Sequence, residues 1–188
     1  MKIIISKKVR AHMEAHRNDF IVQYEKLIEW CKKNGQFAHL SKSFEEMVVE
    51  FPFPVGFGKL FETTPGDAVV YAQRLNRYTY TRFVKGKKPY AIKKCVICLK
   101  KNRNREDEYY LVTIFPGSNP IKEPEDRNIK TKEGLRESLV FWRKHALYYE
   151  PNIIKKESEK NSCPYSHLYK QLGLPLPGDA ILASSISR

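Results

Sequence analysis

The sequence predicts an α+β fold, in which N-terminal helices precede an antiparallel sheet of about four strands and a C-terminal helix. Two observations support this class. Apolar residues recur at helical spacing before residue 78 and again after residue 134, and three runs of β-branched and aromatic residues lie between them. The connections between those runs are short, which favours an antiparallel meander. We expect one domain over residues 1–150 and an irregular C-terminal extension over residues 151–188.

The chain is predicted to start with a short strand and a helix. Lys2–Ile5 is an apolar, β-branched run, and Ser6 follows it as a helix N-cap. Apolar side chains then recur at three- and four-residue spacing until Asn34–Gly35, a pair typical of a helix C-terminus. Asn18–Asp19 leaves open a division of this segment into two helices.

Two further helices are predicted from their start signals. Ser43 and Glu46 form a capping box at the start of "SFEEMVVEF". The segment "TTPGDAVVYAQRLN" has Thr64 as its cap, Pro65 at the first helical position and Asp67 in the first turn. Both segments are therefore expected to be helical.

The three β-rich runs are Tyr78–Val84, Tyr90–Lys101 and Tyr109–Phe115, joined by short polar turns. Pro116–Gly117 ends the third run as a rigid corner. A final helix is predicted over "LRESLVFWRKHALYY", where four apolar side chains share one face: Leu135, Leu139, Trp142 and Ala146.

The composition indicates a basic globular protein. Hydrophobic residues make up 41% of the 188 residues, and 34 Lys+Arg against 21 Asp+Glu give a net charge of +13. Such an excess attracts polyanions: nucleic acid, anionic lipid headgroups or an acidic protein. No apolar run is long enough for a membrane-spanning helix, and the start "MKIIISKKVR" is unlike a secretory signal. We therefore expect a cytoplasmic protein that is not bound to a membrane.

The cysteines and histidines do not predict a metal or cofactor site. Cys95 and Cys98 form a C-x-x-C, but they lie in a predicted strand and not in the turn that a zinc knuckle requires. His12 and His16 share a helix face without a third histidine on that helix. We expect buried, reduced thiols and exposed histidines, with no metal and no cofactor.

Basic and aromatic residues are interspersed along the first β-rich run. Tyr78, Tyr80 and Arg82 point to one face of a strand, and Arg77 and Lys85 flank them. If that face is exposed, cations would neutralise phosphates while the rings stack on the bases of single-stranded RNA. If instead the tyrosines fill a core, the basic residues only keep the edges soluble. The sequence leaves both alternatives open.

Three more residues are candidates for a site. Lys94 interrupts an apolar strand and lies either on an open sheet face or in an outward pair at a bulge. Thr113 lies just before the proline-glycine corner and is also an ordinary strand residue. His145 lies at the edge of the last helix's apolar face, where it is either a packed core residue or a general acid or base.

Three short motifs, "RYTYTRF", "LVTIFPG" and "FWRKHAL", resemble the strands and closing helix of bacterial RNase-toxin-like domains of the barnase/EndoU/colicin/RelE group. The resemblance covers about residues 64–149. The strand and basic helix of residues 1–35 faintly resemble RelE/HigB-type messenger RNA interferases. In that group, one or two helices precede a four-stranded antiparallel sheet, whose last strands often carry a threonine before an aromatic residue and a proline.

The resemblance implies a toxin-like, metal-independent ribonuclease. A base deprotonates the ribose 2′-hydroxyl, which attacks the adjacent phosphate, and an acid protonates the leaving 5′-oxygen. Carried onto this chain, the catalytic residues would be four: His145 for proton transfer, Arg82 and Lys94 for the phosphate, and Thr113 for positioning. The RNA-binding residues would be Arg77, Tyr78, Tyr80 and Lys85.

Two other classes of function fit the same composition. One is a non-catalytic nucleic-acid-binding protein, for which the positive charge suffices. The other is a protein-interaction module whose basic surface meets an acidic, antitoxin-like partner. An enzyme differs from both because its catalytic side chains must lie together.

Overall fold

The computed structural model describes residues 1–75, 77–158 and 162–177. The chain forms two compact units: unit 1 (Met1–Lys59 and Pro89–Asn119) and unit 2 (Leu60–Lys88 and Pro120–Arg188). The expected boundary at residue 150 falls inside unit 2. Residues 159–161 and 178–188 of the expected C-terminal extension lie outside the described residues.

The described residues contain both helices and strands, which confirms the α+β class. The helices are α1 (Lys7–Ala15), α2 (Tyr24–Lys33), α3 (Lys132–Lys144) and α4 (Ser166–Gln171). The strands are β1 (Lys2–Ile4), β2 (Phe44–Glu50), β3 (Gly56–Gly58), β4 (Leu60–Glu62), β5 (Val69–Arg74), β6 (Tyr80–Val84), β7 (Tyr90–Ile92), β8 (Lys94–Lys101), β9 (Glu108–Pro116), β10 (His145–Tyr148) and β11 (Ile154–Glu157). These strands form three sheets rather than one. None of the described helices has the length and apolarity needed to cross a membrane.

Unit 1 is built on a four-stranded sheet in the order β1-β9-β8-β2. β2, β8 and β9 are antiparallel neighbours, β1 lies parallel to β9, and β3 and β7 form a separate two-stranded sheet. α1 and α2 cover one face of the four-stranded sheet. Helices and strands share one apolar cluster, whose buried members include Met13, Leu27, Ile28, Cys31, Val49, Cys95, Ile97, Leu99, Tyr109, Leu111 and Ile114.

The predicted start of the chain is confirmed. β1 leads into α1, whose N-cap Ser6 accepts a hydrogen bond from the Val9 amide through its side-chain oxygen at 3.3 Å. A turn of 3₁₀ helix at Arg17–Asp19 separates α1 from α2, so the chain has the two helices that Asn18–Asp19 left open. α2 ends at Lys33, and Gly35 follows with a φ of +68°, which glycine adopts easily because it has no Cβ.

The helix predicted for residues 43–51 is wrong, because the segment forms strand β2. All seven residues of β2 pair with β8. Glu45 accepts hydrogen bonds from the amides of Ser41 and Lys42, so a carboxylate closes the turn before the strand instead of capping a helix. Pairing with an apolar central strand outweighs the local capping preference.

Unit 2 is built on a five-stranded sheet in the order β11-β5-β6-β10-β4. β10 is parallel to β6, and the other neighbours are antiparallel. One face of the sheet packs against α3 and α4 through a buried cluster: Tyr71, Leu139, Tyr165 and Tyr169. The other face carries a second cluster around Val70, Ala72 and Phe83.

The helix predicted for residues 63–76 is wrong as well, although Asn76 lies outside the described residues. Asp67 accepts hydrogen bonds from the amide and the hydroxyl of Thr64, which closes a turn, and the chain then enters β5. The first three residues of β5 are β-branched or aromatic and fit a sheet covered on both faces. A helix start and this turn use the same residue types, which explains the error.

The three predicted strands exist, but they do not form one meander. β6 lies in the sheet of unit 2 between β5 and β10, whereas β8 and β9 are neighbours in unit 1. The run Tyr90–Lys101 is interrupted at Lys93 and forms β7 and β8, which belong to different sheets. The meander was predicted because β5 was predicted as a helix. In the structure β5 is a strand that pairs with β6, outside the expected meander.

The predicted C-terminal helix is present as α3, with Leu139 and Trp142 buried as expected. It is shorter than expected. The chain leaves the helix at His145, which has extended backbone angles and starts β10. Ala146 therefore belongs to a strand, and the expected position of His145 on the helix is wrong. Pairing of β10 with β4 and β6 outweighs continuation of the helix.

Candidate nucleic-acid interface

The face of the four-stranded sheet that points away from α1 and α2 carries exposed polar and aromatic side chains; we call it the polar face. Side chains point alternately to the two faces along β8, as in any strand, although Cys95 to Leu99 are all buried. Cys95, Ile97 and Leu99 point into the core, and Lys94, Val96, Cys98 and Lys100 point to the polar face. Residues paired across a sheet point to the same side, so β2 and β9 extend this face in register with β8.

One row of the polar face, the carboxylate row, runs from Glu46 on β2 through Cys98 on β8 to Thr113 on β9. Neighbouring strands are about 4.8 Å apart, so roughly 10 Å separates Glu46 from Thr113 at the backbone. Cys98 is buried between them, with its thiol 3.9 Å from a carboxylate oxygen of Glu46. Burial, and then the Glu46 carboxylate, raise the pKa of Cys98. The thiol therefore stays protonated at neutral pH and is a poor nucleophile.

A β-bulge turns Thr113 onto the polar face. Consecutive pairs of the β8–β9 ladder skip Val112, which is therefore an extra residue on β9. Leu111 and Ile114 on either side are 2% and 1% exposed, whereas Val112 is 40% exposed and Thr113 is half-buried. In a regular strand Thr113 would share a face with Leu111 and point into the core. The bulge instead places its hydroxyl on the same face as the Glu46 carboxylate.

A second row, the aromatic row, consists of Phe44, Lys100 and Tyr110 and lies about 7 Å along the strands from the first. All three side chains are exposed, Phe44 by 48% and Tyr110 by 40%. Asn102 donates a hydrogen bond to the Tyr110 hydroxyl at 3.4 Å. A cation therefore lies between two exposed rings.

Farther along, the polar face becomes apolar and then charged again. The next row consists of Val48, Val96 and Phe115. Beyond it, Lys94 pairs with Glu50, with 3.4 Å between Nζ and Oε2. Both side chains are more than half exposed, so the pair contributes little to stability. Lys94 thus shares the face of Thr113 but lies about 13 Å along β8 from Cys98.

Arg82, which the resemblance placed at the phosphate, is buried in unit 2 at 5% exposure. It pairs with Tyr71 in the sheet and therefore points toward α3 and α4. Its Nη1 donates to the Thr63 hydroxyl at 2.7 Å and to the backbone oxygen of His145 at 2.9 Å. These bonds tie β6 to β10 and to the residue that follows β4. Of the two alternatives that the sequence left open for this strand, the structure favours the packed one, because β6 is buried from Thr81 to Val84.

The contact between His145 and Arg82 is made by the His145 backbone oxygen. The imidazole stacks on Phe141, with ring centroids 4.1 Å apart, and its Nδ1 donates to the Phe141 backbone oxygen at 2.9 Å. Arg82 and His145 belong to unit 2, whereas Lys94 and Thr113 belong to unit 1. Of the four predicted catalytic residues, Arg82 and His145 are in contact, whereas Lys94 and Thr113 share a sheet face without touching.

The four predicted RNA-binding residues lie in unit 2. Arg77 pairs with the buried Glu123 at 3.3 Å, and Lys85 pairs with a glutamate of β11 at 2.9 Å. Tyr80 packs against the cluster between the sheet and its helices. Tyr78 precedes β6 and is 88% exposed. The Lys155 ammonium lies 5.6 Å from the centroid of the Tyr78 ring. All four residues therefore have partners within the fold.

No group of three or more metal-ligating side chains occurs within the part of the chain that the structure describes. His12 and His16 make an edge contact on the exposed side of α1, with centroids 4.8 Å apart. A cavity of about 880 Å³ lies beside α1 and α2, and one of about 630 Å³ lies beside α3 and α4. Neither cavity is lined by a residue predicted for the site.

Four residues of the polar face were not predicted from the sequence: Phe44, Glu46, Lys100 and Tyr110. Phe44 and Glu46 were hidden by the helix prediction for residues 43–51, although the Val-Val and Phe content of the segment favours a strand. Lys100 and Tyr110 lie in predicted strands, but the pairing register that makes them neighbours cannot be read from local sequence.

The polar face combines a carboxylate, a hydroxyl, an ammonium group and two rings within two adjacent rows. A carboxylate can take a proton from a hydroxyl, an ammonium group can bind a phosphate, and exposed rings can stack on bases. No family model, no curated protein and no solved structure matches this chain.

Proposed function

We propose that this chain is a metal-independent ribonuclease whose catalytic groups lie on the polar face of unit 1. The observation that carries the proposal is the grouping of Glu46, Lys100 and Thr113 in two adjacent rows, with Thr113 turned there by a bulge. Bulges are frequent beside active sites because they re-aim a side chain. The net charge of +13 supports a polyanionic substrate.

Each of these side chains has a role in transphosphorylation. Glu46 takes the proton from the ribose 2′-hydroxyl, whose oxygen attacks the adjacent phosphorus and displaces the 5′-oxygen of the next nucleotide. Lys100 binds a non-bridging phosphate oxygen and stabilises the negative charge that develops there. Thr113 donates a hydrogen bond that fixes the phosphate. The leaving oxygen takes its proton from solvent, to which this face is open.

Of the four catalytic residues that the resemblance implied, the proposal retains Thr113 at the reacting phosphate. Lys94, farther along the same face, contacts the RNA backbone. Arg82 donates hydrogen bonds to Thr63 and to a backbone oxygen, and the His145 ring donates one to the Phe141 backbone oxygen. The proposal therefore assigns Arg82 and His145 to the fold of unit 2.

Of the three motifs behind the resemblance to the barnase/EndoU/colicin/RelE group, only "LVTIFPG" lies in unit 1, and the proposal rests on the order of elements there. Two helices, α1 and α2, precede the antiparallel strands β2, β8 and β9, and "LVTIFPG" starts on β9. A toxin-like role, restrained by an acidic partner protein, fits the same basic surface.

The test is incubation of the purified protein with end-labelled single-stranded RNA in EDTA, beside two variants of adjacent residues on β2. Glu46→Gln removes the base but keeps its shape. Glu45→Gln is the matched control, because Glu45 points to the other side of β2 and accepts hydrogen bonds from Ser41 and Lys42, as glutamine also can. Loss of a general base lowers the rate by about 10²–10⁴-fold.

We expect cleavage by the wild type and by Glu45→Gln, and a loss of about 100-fold or more in Glu46→Gln. Intact RNA after incubation with the wild type would refute the proposed ribonuclease activity. A native gel then separates the remaining classes. Retained but uncut RNA indicates a non-catalytic nucleic-acid-binding protein, and no retention even at low salt indicates a protein-interaction module.

A further inference from the structure

The aromatic row bears on which form of RNA the polar face can accept. Phe44 and Tyr110 lie on either side of Lys100, each one strand away from it. Two strand spacings place the backbones of the two aromatic residues about 10 Å apart. Exposed rings beside a cation are the combination that binds single strands, because every base has a face that can stack.

The spacing of the two rings decides which nucleic acid can use both. Successive bases of a stacked strand are about 3.4 Å apart along its axis, much less than the separation of Phe44 and Tyr110. Neighbouring bases of a duplex therefore cannot reach both rings. Two unpaired bases that have been splayed apart can reach them, and the phosphate that joins these bases then lies over Lys100.

The carboxylate row lies beside this phosphate. Glu46 is two residues from Phe44 on β2, about 7 Å along the same face. Thr113 follows Tyr110 on β9 and reaches the same face through the bulge. A ribose whose base stacks in the aromatic row would therefore present its 2′-hydroxyl toward Glu46.

We propose that the polar face binds one unpaired, splayed dinucleotide step of single-stranded RNA. One base stacks on Phe44, the next stacks on Tyr110, and Lys100 holds the phosphate between them, which is the phosphate that is cut. The hydrogen bond from Asn102 holds the Tyr110 ring in position. Cleavage at this step rests on the proposed function, whereas binding does not.

The binding test uses a fluorescent RNA strand with 2′-fluoro groups in place of its 2′-hydroxyls, which cannot be cut by transphosphorylation. Its anisotropy with the full chain is measured as a single strand and as a duplex with its complement. Phe44→Leu and Tyr110→Leu remove a ring but keep an apolar side chain, and Phe44→Tyr and Tyr110→Phe keep a ring. Val48→Ala is the matched control, since Val48 is 54% exposed on the same strand and face.

We expect the single strand to bind about tenfold or more tightly than the duplex. Each leucine variant should weaken single-strand binding about fivefold or more, from the usual contribution of one stacked base. The ring-keeping variants and Val48→Ala should bind like the wild type. Equal binding of duplex and single strand, or leucine variants that bind like the wild type, would overturn the inference.

The cleavage gel distinguishes this failure from failure of the proposed function. Ring-dependent binding of the 2′-fluoro strand without any cleavage of RNA overturns the ribonuclease and leaves the dinucleotide site standing. Cleavage that depends neither on the rings nor on strand pairing overturns the dinucleotide site and leaves the ribonuclease standing. No binding of either strand, together with intact RNA on the cleavage gel, overturns both.

Discussion

Glu46 and Thr113 occupy the two ends of the carboxylate row, with the buried thiol of Cys98 between them. A backbone separation of roughly 10 Å leaves room for a ribose and its phosphate between the two side chains. The pKa of Cys98 is raised chiefly by burial, so the thiol adds no negative charge beside Glu46. In the proposed mechanism the row therefore acts through a carboxylate and a hydroxyl.

Thr113→Val removes the hydroxyl of this residue and keeps its β-branched shape. We predict an unchanged melting temperature and a fall in the cleavage rate of about 100-fold, because one hydrogen bond to the charged phosphate is lost. Initial rates on labelled RNA and circular dichroism melting measure the two quantities. Val112→Ala, in the same bulge, should keep the rate. A folded Thr113→Val variant with full activity would remove Thr113 from the site.

Cys31 and Cys95 are buried in the core of unit 1, and burial raises the pKa of each thiol from 9.0 to about 12. Below about pH 9 the thiols stay protonated in the folded and in the unfolded chain, so their contribution to stability is fully present there. Above it the unfolded chain releases protons that the folded chain retains, and stability falls until pH reaches about 12. At pH 10 the loss is about 1.4 kcal/mol per thiol.

Urea unfolding at pH 7 and pH 10 measures this loss. The Cys31→Ala/Cys95→Ala double variant is less stable at pH 7, because two small cavities are left in the core. Between pH 7 and pH 10, the free energy of unfolding of the double variant should fall by about 3 kcal/mol less than that of the wild type. Equal losses in the two proteins would show that the thiols do not titrate as described.

Among the elements of unit 2, β6 is joined to its surroundings by Arg82, which bonds Thr63 and the first residue of β10. Arg82→Met removes these bonds and leaves two oxygen acceptors without their donor, which costs about 1–3 kcal/mol for each one buried. We predict a lower free energy of unfolding and an unchanged cleavage rate per folded molecule. Thermal unfolding, and rates measured well below its midpoint, provide the comparison. Lost activity in a fully folded variant would return Arg82 to the catalytic site.

The predicted elements succeed where the signal is local and fail where it depends on pairing. The cap at Ser6 and the glycine at Gly35 act within one turn, and α1 and the end of α2 follow from them. Ser43 and Thr64 look like caps of the same kind but precede β2 and β5. These strands form because β8 and β6 lie beside them, and that information is far away in the sequence.

The candidate site was predictable to the same extent. Thr113 and Lys94 could be found because β9 and β8 have strong strand character. Glu46 was not predicted as a site residue, because its strand β2 was predicted as a helix. The place of Lys100 between two rings depends on register, and the outward turn of Thr113 depends on a bulge that no local pattern reports.

For the whole molecule, the net charge of +13 predicts that the proposed RNA binding is sensitive to salt, because basic side chains that bind phosphates release their counterions. For about three phosphate contacts, affinity for the single-stranded 2′-fluoro RNA should fall roughly 20-fold between 50 and 200 mM salt. Fluorescence anisotropy over that range measures the slope. A flat response would mean that the basic surface does not contact the RNA backbone.

The claim that unit 1 cuts RNA by transphosphorylation is tested most directly by the chemical ends of the products. Labelled RNA is incubated with the wild type in EDTA, and the fragments are analysed by mass spectrometry. We predict a 2′,3′-cyclic phosphate on the upstream fragment and a 5′-hydroxyl on the downstream one, formed about 100-fold or more slowly by Glu46→Gln. Intact RNA, or fragments with 5′-phosphate and 3′-hydroxyl ends, would contradict the claim.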